Sequence, residues 1–201
     1  MVRGRKGKIG GRKRIIGKMK YYKLGRGGEG TKYPEPELFG KWEGESLWMN
    51  LWENRKLKLP VTMSVKNKYN PGDSPLADSK LVSQRLFDII KQVNKDYEAL
   101  PTQLYHKEKE PIWDIYYSMI FPEYEAFNFE KSDYTTGVDG ERVCFINKLV
   151  LSEEKLSHIN VENNIFVLKE DTIVIICTEI AKDMIEAVGI KDIRFTELPV
   201  E

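Results

Sequence analysis

The stretch Ile165–Val200, IFVLKEDTIVIICTEIAKDMIEAVGIKDIRFTELPV, decides the fold, because strand, turn, helix and strand signals follow one another in it without a gap. Ile165–Leu168 and Thr172–Cys177 are short apolar runs rich in β-branched residues. Lys169-Glu170-Asp171 between them reads as the polar turn of a β-hairpin. Thr178 stands where a helix N-cap accepts from an orphan backbone N–H. Ala181, Met184, Ile185 and Val188 then recur at i, i+3, i+4 and i+7, which gives one apolar stripe. Gly189 stops the helix, since a left-handed C′ residue costs glycine almost nothing, and Ile190 can fold back on the last turn. Ile193 and Phe195 begin a strand that ends at Leu198-Pro199.

The same register occurs earlier. Ser83, Leu86, Ile89, Ile90 and Val93 each lie 95 residues before Thr178, Ala181, Met184, Ile185 and Val188. Asn94 falls opposite Gly189, and asparagine is the other residue that tolerates a left-handed helix stop. Glu98-Ala99-Leu100-Pro101 closes the unit as Thr196-Glu197-Leu198-Pro199 does. Two readings stay open, a duplicated helix–strand unit and two capped helices of unrelated origin. Both give an α+β fold of antiparallel or mixed sheet with two principal amphipathic helices.

Two hundred and one residues suit a single domain over 19–201, with two lobes, 19–101 and 102–201, if the duplication is real. Cys144 and Cys177 are the only cysteines. Both sit in apolar strand-like runs and read as buried, reduced thiols, as a cytoplasmic protein would carry. The longest purely apolar run, Ile173–Cys177, is too short to span a bilayer, and no apolar stretch follows the basic start as a signal peptide requires.

Charge is unevenly placed. The chain has 32 Lys+Arg and 31 Asp+Glu, but residues 1–18 hold eight of the bases and no acid. From Met19 onward 24 bases therefore face 31 acids, a net charge of −7. The basic start lacks apolar periodicity and reads as a disordered extension outside the fold, either a solvated tail or a phosphate-neutralising nucleic-acid arm. Met19-Lys20-Tyr21-Tyr22-Lys23-Leu24 looks like the beginning of a first strand.

Gly25-Arg26-Gly27-Gly28-Glu29-Gly30 matches GxGxxG, but Pro34 and Pro36 restrict the segment that should be a phosphate-binding helix, so the glycines read as a loop. Leu47, Trp48, Leu51 and Trp52 suit a short core-facing helix, Val61, Met63 and Val65 a short strand, and residues 70–75 a loop. Trp113, Ile115, Tyr117, Met119 and Phe121 alternate as the core face of a strand, with Asp114, Tyr116 and Ser118 facing the other way. Phe127 and Phe129 continue that alternation, and Asp139-Gly140 is a hairpin signal before Val143–Leu151.

No HExxH, CxxC, GxSxG or P-loop occurs. His106 and His158 lie in polar, charged surroundings without a partner at metal-ligand spacing. The segments LVSQRLFDIIKQ, EALPTQL, DIYYSMIFPEYEAFNFEKSDY and NNIFVLKEDTIVIICTEIAKDMIEAVGIKDIRFTELPV, with the start MKYYKL, resemble in order immunity family eleven of bacterial polymorphic toxin systems. The resemblance covers most of residues 19–200, is closest from Leu81 onward, and departs from the family at Asn128, where an aspartate is usual. It implies a cytoplasmic protein that binds and neutralises a cognate toxin encoded nearby, without catalysis, cofactor or metal. A nucleic-acid-binding protein using the basic tail is the alternative. Within the toxin-binding reading, the acidic and aromatic stretch Asp114–Tyr134 supplies the candidate partner-binding residues Asp114, Tyr116, Glu123, Glu125 and Glu130.

Overall fold

The structure is a computed structural model that describes residues 19–27, 61–65, 72–73, 80–106, 110–137, 143–160, 162–190 and 192–201. The basic extension 1–18, Gly28–Gly30, the expected helix around Leu47–Trp52 and the Asp139-Gly140 turn lie outside the described residues. Eleven strands are described: β1 (Tyr21–Arg26), β2 (Val61–Val65), β3 (Leu81–Ser83), β4 (Glu98–His106), β5 (Glu110–Ile120), β6 (Glu123–Tyr124), β7 (Asp133–Thr136), β8 (Val143–Lys148), β9 (Ile165–Leu168), β10 (Ile175–Thr178) and β11 (Ile193–Leu198). Among the described residues the helices are α1 (Gln84–Val93), α2 (Glu153–Leu156) and α3 (Glu179–Ala187).

The strands form a five-stranded sheet in the order β11-β1-β10-β9-β6, a four-stranded sheet in the order β2-β4-β5-β3, and a β7-β8 hairpin. All pairs are antiparallel except β2 with β4 and β6 with β9, so the α+β class with mixed sheets holds. The units related by the 95-residue offset are built alike. β3-α1-β4 places two parallel strands on either side of β5, and β10-α3-β11 places two on either side of β1. They differ in where the inserted strand comes from: β5 follows its unit directly, whereas β1 is recruited from far upstream. β4 runs across position 101, and the main core draws on residues from both sides of it.

Local chemistry explains the helices. The Ser83 hydroxyl accepts from the Leu86 N–H at 3.2 Å, and Thr178 accepts from the Ala181 N–H at 3.5 Å, so both helices begin at side-chain caps. Leu86, Ile89, Ile90 and Val93 are all buried. On α3 the buried stripe is narrower than its spacing implies: Ala181 and Ile185 are buried, Met184 is partly covered and Val188 is exposed. Gly189 adopts φ 75° and Ile190 is buried behind it, as a left-handed stop requires. Asn94 does not follow suit. It is extended at φ −122°, and its side chain is committed to Ile165. Arg85 of α1 donates to the Val188 carbonyl at the end of α3 and pairs with Asp73 at 3.4 Å, joining the two helices where they pack together.

The main core lies between the sheets, with α1, α3, Val82 and Met119 meeting Ile165, Val167, Ile175, Cys177 and Ile193. A second cluster covers the opposite face of the five-stranded sheet, where Phe127, Leu151 and Leu156 meet Phe166, Leu168, Ile176 and Leu198. β9 and β10 are therefore buried on both faces, which is why they read as continuous apolar runs without alternation. Burial pushes the Cys177 thiol well above its usual range. Cys144 corrects the sequence reading: it is exposed, because β8 belongs to a two-stranded hairpin rather than to a packed sheet. The loop expected over the glycine motif also begins later than expected, since Gly25 and Arg26 belong to β1 and pair with Arg194 and Ile193. Phe127 and Phe129 are not strand neighbours. Phe127 makes a single bridge to Leu151 and is fully buried, and the chain then turns, leaving Phe129 exposed.

Lys80 stands just before β3 with φ 49°, is 1% exposed, and accepts at its carbonyl from the Met119 N–H. Burial pulls its ammonium pKa down to about 8, against the opposing pull of Glu123 and Asp171. The folded pKa thus lies below the unfolded value. The cost of burying the charge is full below pH 8 and fades as pH rises towards 10.5. Urea unfolding at a series of pH values should show wild type gaining stability relative to Lys80→Met across that window, and a pH-independent difference contradicts this. Ile90→Ala and Ile185→Ala, at positions 1% and 0% exposed, should each lower unfolding free energy by about 2–5 kcal/mol in the same assay.

Candidate partner-binding surface

β5 carries two of the five candidate residues, Asp114 and Tyr116, and only part of it is buried. Eleven extended residues reach about 36 Å, whereas the ten residues of α1 reach about 15 Å. α1 therefore covers one end of the strand: Met119 joins the core and Tyr117 packs beneath Phe87, with ring centroids 4.2 Å apart. At the other end Trp113 is 88% exposed and Ile115 is 56% exposed. The expectation that all five alternating apolar residues face a core thus fails for these two, and no helix among the described residues lies over them.

The pairing of β5 with β4 breaks at the same place. Thr102 pairs with Tyr116 and Leu104 with Ile112, so Gln103 alone stands opposite Trp113, Asp114 and Ile115. The three consecutive residues form a bulge and are all exposed. The Gln103 side-chain amide donates to the carbonyl of its own neighbour Leu104 at 2.9 Å, and by donating also to the Ile112 carbonyl at 2.8 Å it ties down the start of the bulge. Beneath it Leu104, Ile112, Thr102 and Ser118 are buried, with the two hydroxyls 2.8 Å apart.

The five candidate residues part company here. Asp114 is exposed within the bulge. Tyr116 is 1% exposed and donates its hydroxyl to the Gly72 carbonyl at 3.0 Å, so it is a support beneath the surface and not a contact on it. Burial, with Asp114, Asp73 and Asp192 nearby, pushes that hydroxyl above its usual range. Gly72 has φ +84°, and an added Cβ would lie 2.5 Å from an Asp192 carboxylate oxygen, so only glycine fits there. Glu123 and Glu125 are exposed on and beside β6, at the edge of the five-stranded sheet. The Lys169 ammonium donates to Glu125 at 2.6 Å, which holds the Glu125 carboxyl below its usual range. Glu130 is exposed in the turn after Phe127.

That turn also explains the departure at Asn128. Its side-chain oxygen accepts from the Glu130 and Lys131 N–H groups, both at 3.2 Å, and its amide donates to the Glu201 carbonyl at 3.2 Å. An aspartate would keep the two acceptances and lose the donation. Phe127, Phe129 and Tyr134 stack edge to face around the turn, and Lys155 lies over the Phe129 ring.

Sequence reasoning missed Trp113 and Ile115 because alternation marks a face without saying what covers it. The signal available was the length of the apolar stripe, which exceeds what one short helix can bury. Among the described residues no group of three or more His, Cys, Asp and Glu side chains could hold a metal, and no helix is long and apolar enough to cross a membrane.

The described residues form a mixed-sheet α+β scaffold with an exposed bulge on β5. The model of the immunity protein family Imm11 matches residues 22–199, and the chain belongs to that family. No curated protein matches the chain.

Proposed function

We propose that this protein neutralises a toxin encoded beside it by binding it one to one in the cytoplasm, without turnover. The observation that carries this is the family match over residues 22–199. The charge distribution supports it. A body of net charge −7 from Met19 onward steers a basic protein towards itself, and the exposed carboxylates Asp114, Glu123, Glu125 and Glu130 are the proposed steering groups. Asp114 and Glu130 flank exposed aromatic residues, Trp113 and Phe129, of the kind that slow dissociation once a partner is seated. Glu125 has to exchange Lys169 for a partner cation, so it contributes less than the others.

Co-expression with the neighbouring toxin tests this. Wild type should restore growth and co-purify with the toxin in equal amounts. The triple variant Asp114→Lys, Glu123→Lys, Glu125→Lys should fold, associate at least about tenfold more slowly at low salt, and lose most of that difference at high salt. Failure of wild type to rescue or bind contradicts the immunity role. Full rescue and unchanged association by the folded triple variant contradict the acidic surface alone.

A further inference from the structure

We propose that the Trp113-Asp114-Ile115 bulge of β5 is the anchor of the toxin interface, received by an apolar socket on the toxin that is rimmed by Lys or Arg. This rests on the neutralising role proposed above and adds the site and the chemistry of the partner surface.

An indole that is 88% exposed contributes little to a core, yet the backbone next to this one is tied down. The Gln103 amide fastens one end of the bulge at the Ile112 carbonyl, and beyond its other end the chain runs into buried Tyr116, whose hydroxyl is itself bonded to Gly72. A backbone tied down in this way loses little freedom when a partner covers it, and that lowers the cost of binding. Gln103, which stands opposite the bulge, and Pro101 on the same strand are exposed as well, so the apolar pair has exposed neighbours on β4. Tryptophan offers a large burial area and is the residue type most enriched among interface hot spots.

The charge around the bulge defines the occupant. Asp114 stands within the bulge itself, Glu110 begins the same strand, and the body from Met19 onward carries a net charge of −7. A second copy of this chain would bring a body of the same sign against the first, which is unfavourable, whereas a basic-rimmed socket matches it. Among the described residues Phe145 is another strongly exposed aromatic, at 73%, but it sits on the two-stranded β7-β8 hairpin and lacks the support of a larger sheet.

The test is calorimetric titration of the toxin's C-terminal module, inactivated by a point substitution, into the full-length protein. Trp113→Ala should bind at least about 30-fold more weakly than wild type. Its melting temperature should be unchanged, because the side chain is outside the core. Trp113→Phe should recover part of the loss, Ile115→Ala should weaken binding to a lesser degree, and Phe145→Ala should change affinity less than about threefold. Wild-type affinity in folded Trp113→Ala, or a loss confined to Phe145→Ala, overturns the proposed anchor while leaving the neutralising role intact. Self-association of wild type that Trp113→Ala abolishes without changing toxin affinity overturns it in favour of a second copy. If wild type does not bind the module at all, the neutralising role fails and the anchor with it.

Discussion

The carboxamide of Asn94 is the contact on which the arrangement of the two sheets depends. Its oxygen accepts from the Ile165 N–H at 2.8 Å and its nitrogen donates to the Ile165 carbonyl at 2.6 Å, so one side chain does the work of a neighbouring strand. The position is buried, and a backbone N–H and C=O left without partners there would cost about 1–3 kcal/mol each. Aspartate lacks the donor, and an apolar residue lacks both groups. Two further asparagines extend the clasp. Asn163 accepts from the N–H groups of Lys95 and Asp96, and Asn164 donates to the Val93 carbonyl while accepting from the Thr178 hydroxyl. The end of α1, the start of β9 and the cap of α3 are thereby fixed to one another, and the apolar core between the sheets closes around them.

This explains where the sequence was legible and where it was not. Residues 165–200 could be read almost completely because each step is governed by neighbours: a cap at Thr178, a left-handed stop at Gly189, a burial pattern set by local spacing. Asn94 misled for a physical reason. An asparagine after a helix is compatible with a left-handed stop, but here a partner 71 residues away competes for the same side chain and wins. The recruitment of β1 between β10 and β11 is likewise invisible to local pattern, since its partner strands lie at the far end of the chain. The candidate surface was half legible. Asp114, Glu123, Glu125 and Glu130 are exposed, as charge alone suggests, but Tyr116 and Trp113 exchange the roles that alternation assigned them. The register break opposite Gln103 and the short reach of α1 decide that exchange, and both are facts of tertiary pairing.

The division of labour follows from the same geometry. The half of β5 beneath α1 belongs to the core through Met119, and the half beyond it carries Trp113 and Ile115 on a pinned backbone, so one strand both completes the fold and displays a surface. In the proposed complex, charge would serve encounter and an apolar contact residence, two contributions that salt and side-chain truncation separate.

One-to-one neutralisation is tested most directly by adding the protein in steps to a fixed amount of active toxin, well above the dissociation constant, and measuring residual toxin activity. Activity should fall linearly and reach zero at one equivalent, without further change on standing. Activity that persists at several equivalents, or that continues to disappear with time at a small fraction of an equivalent, would contradict neutralisation by stoichiometric binding.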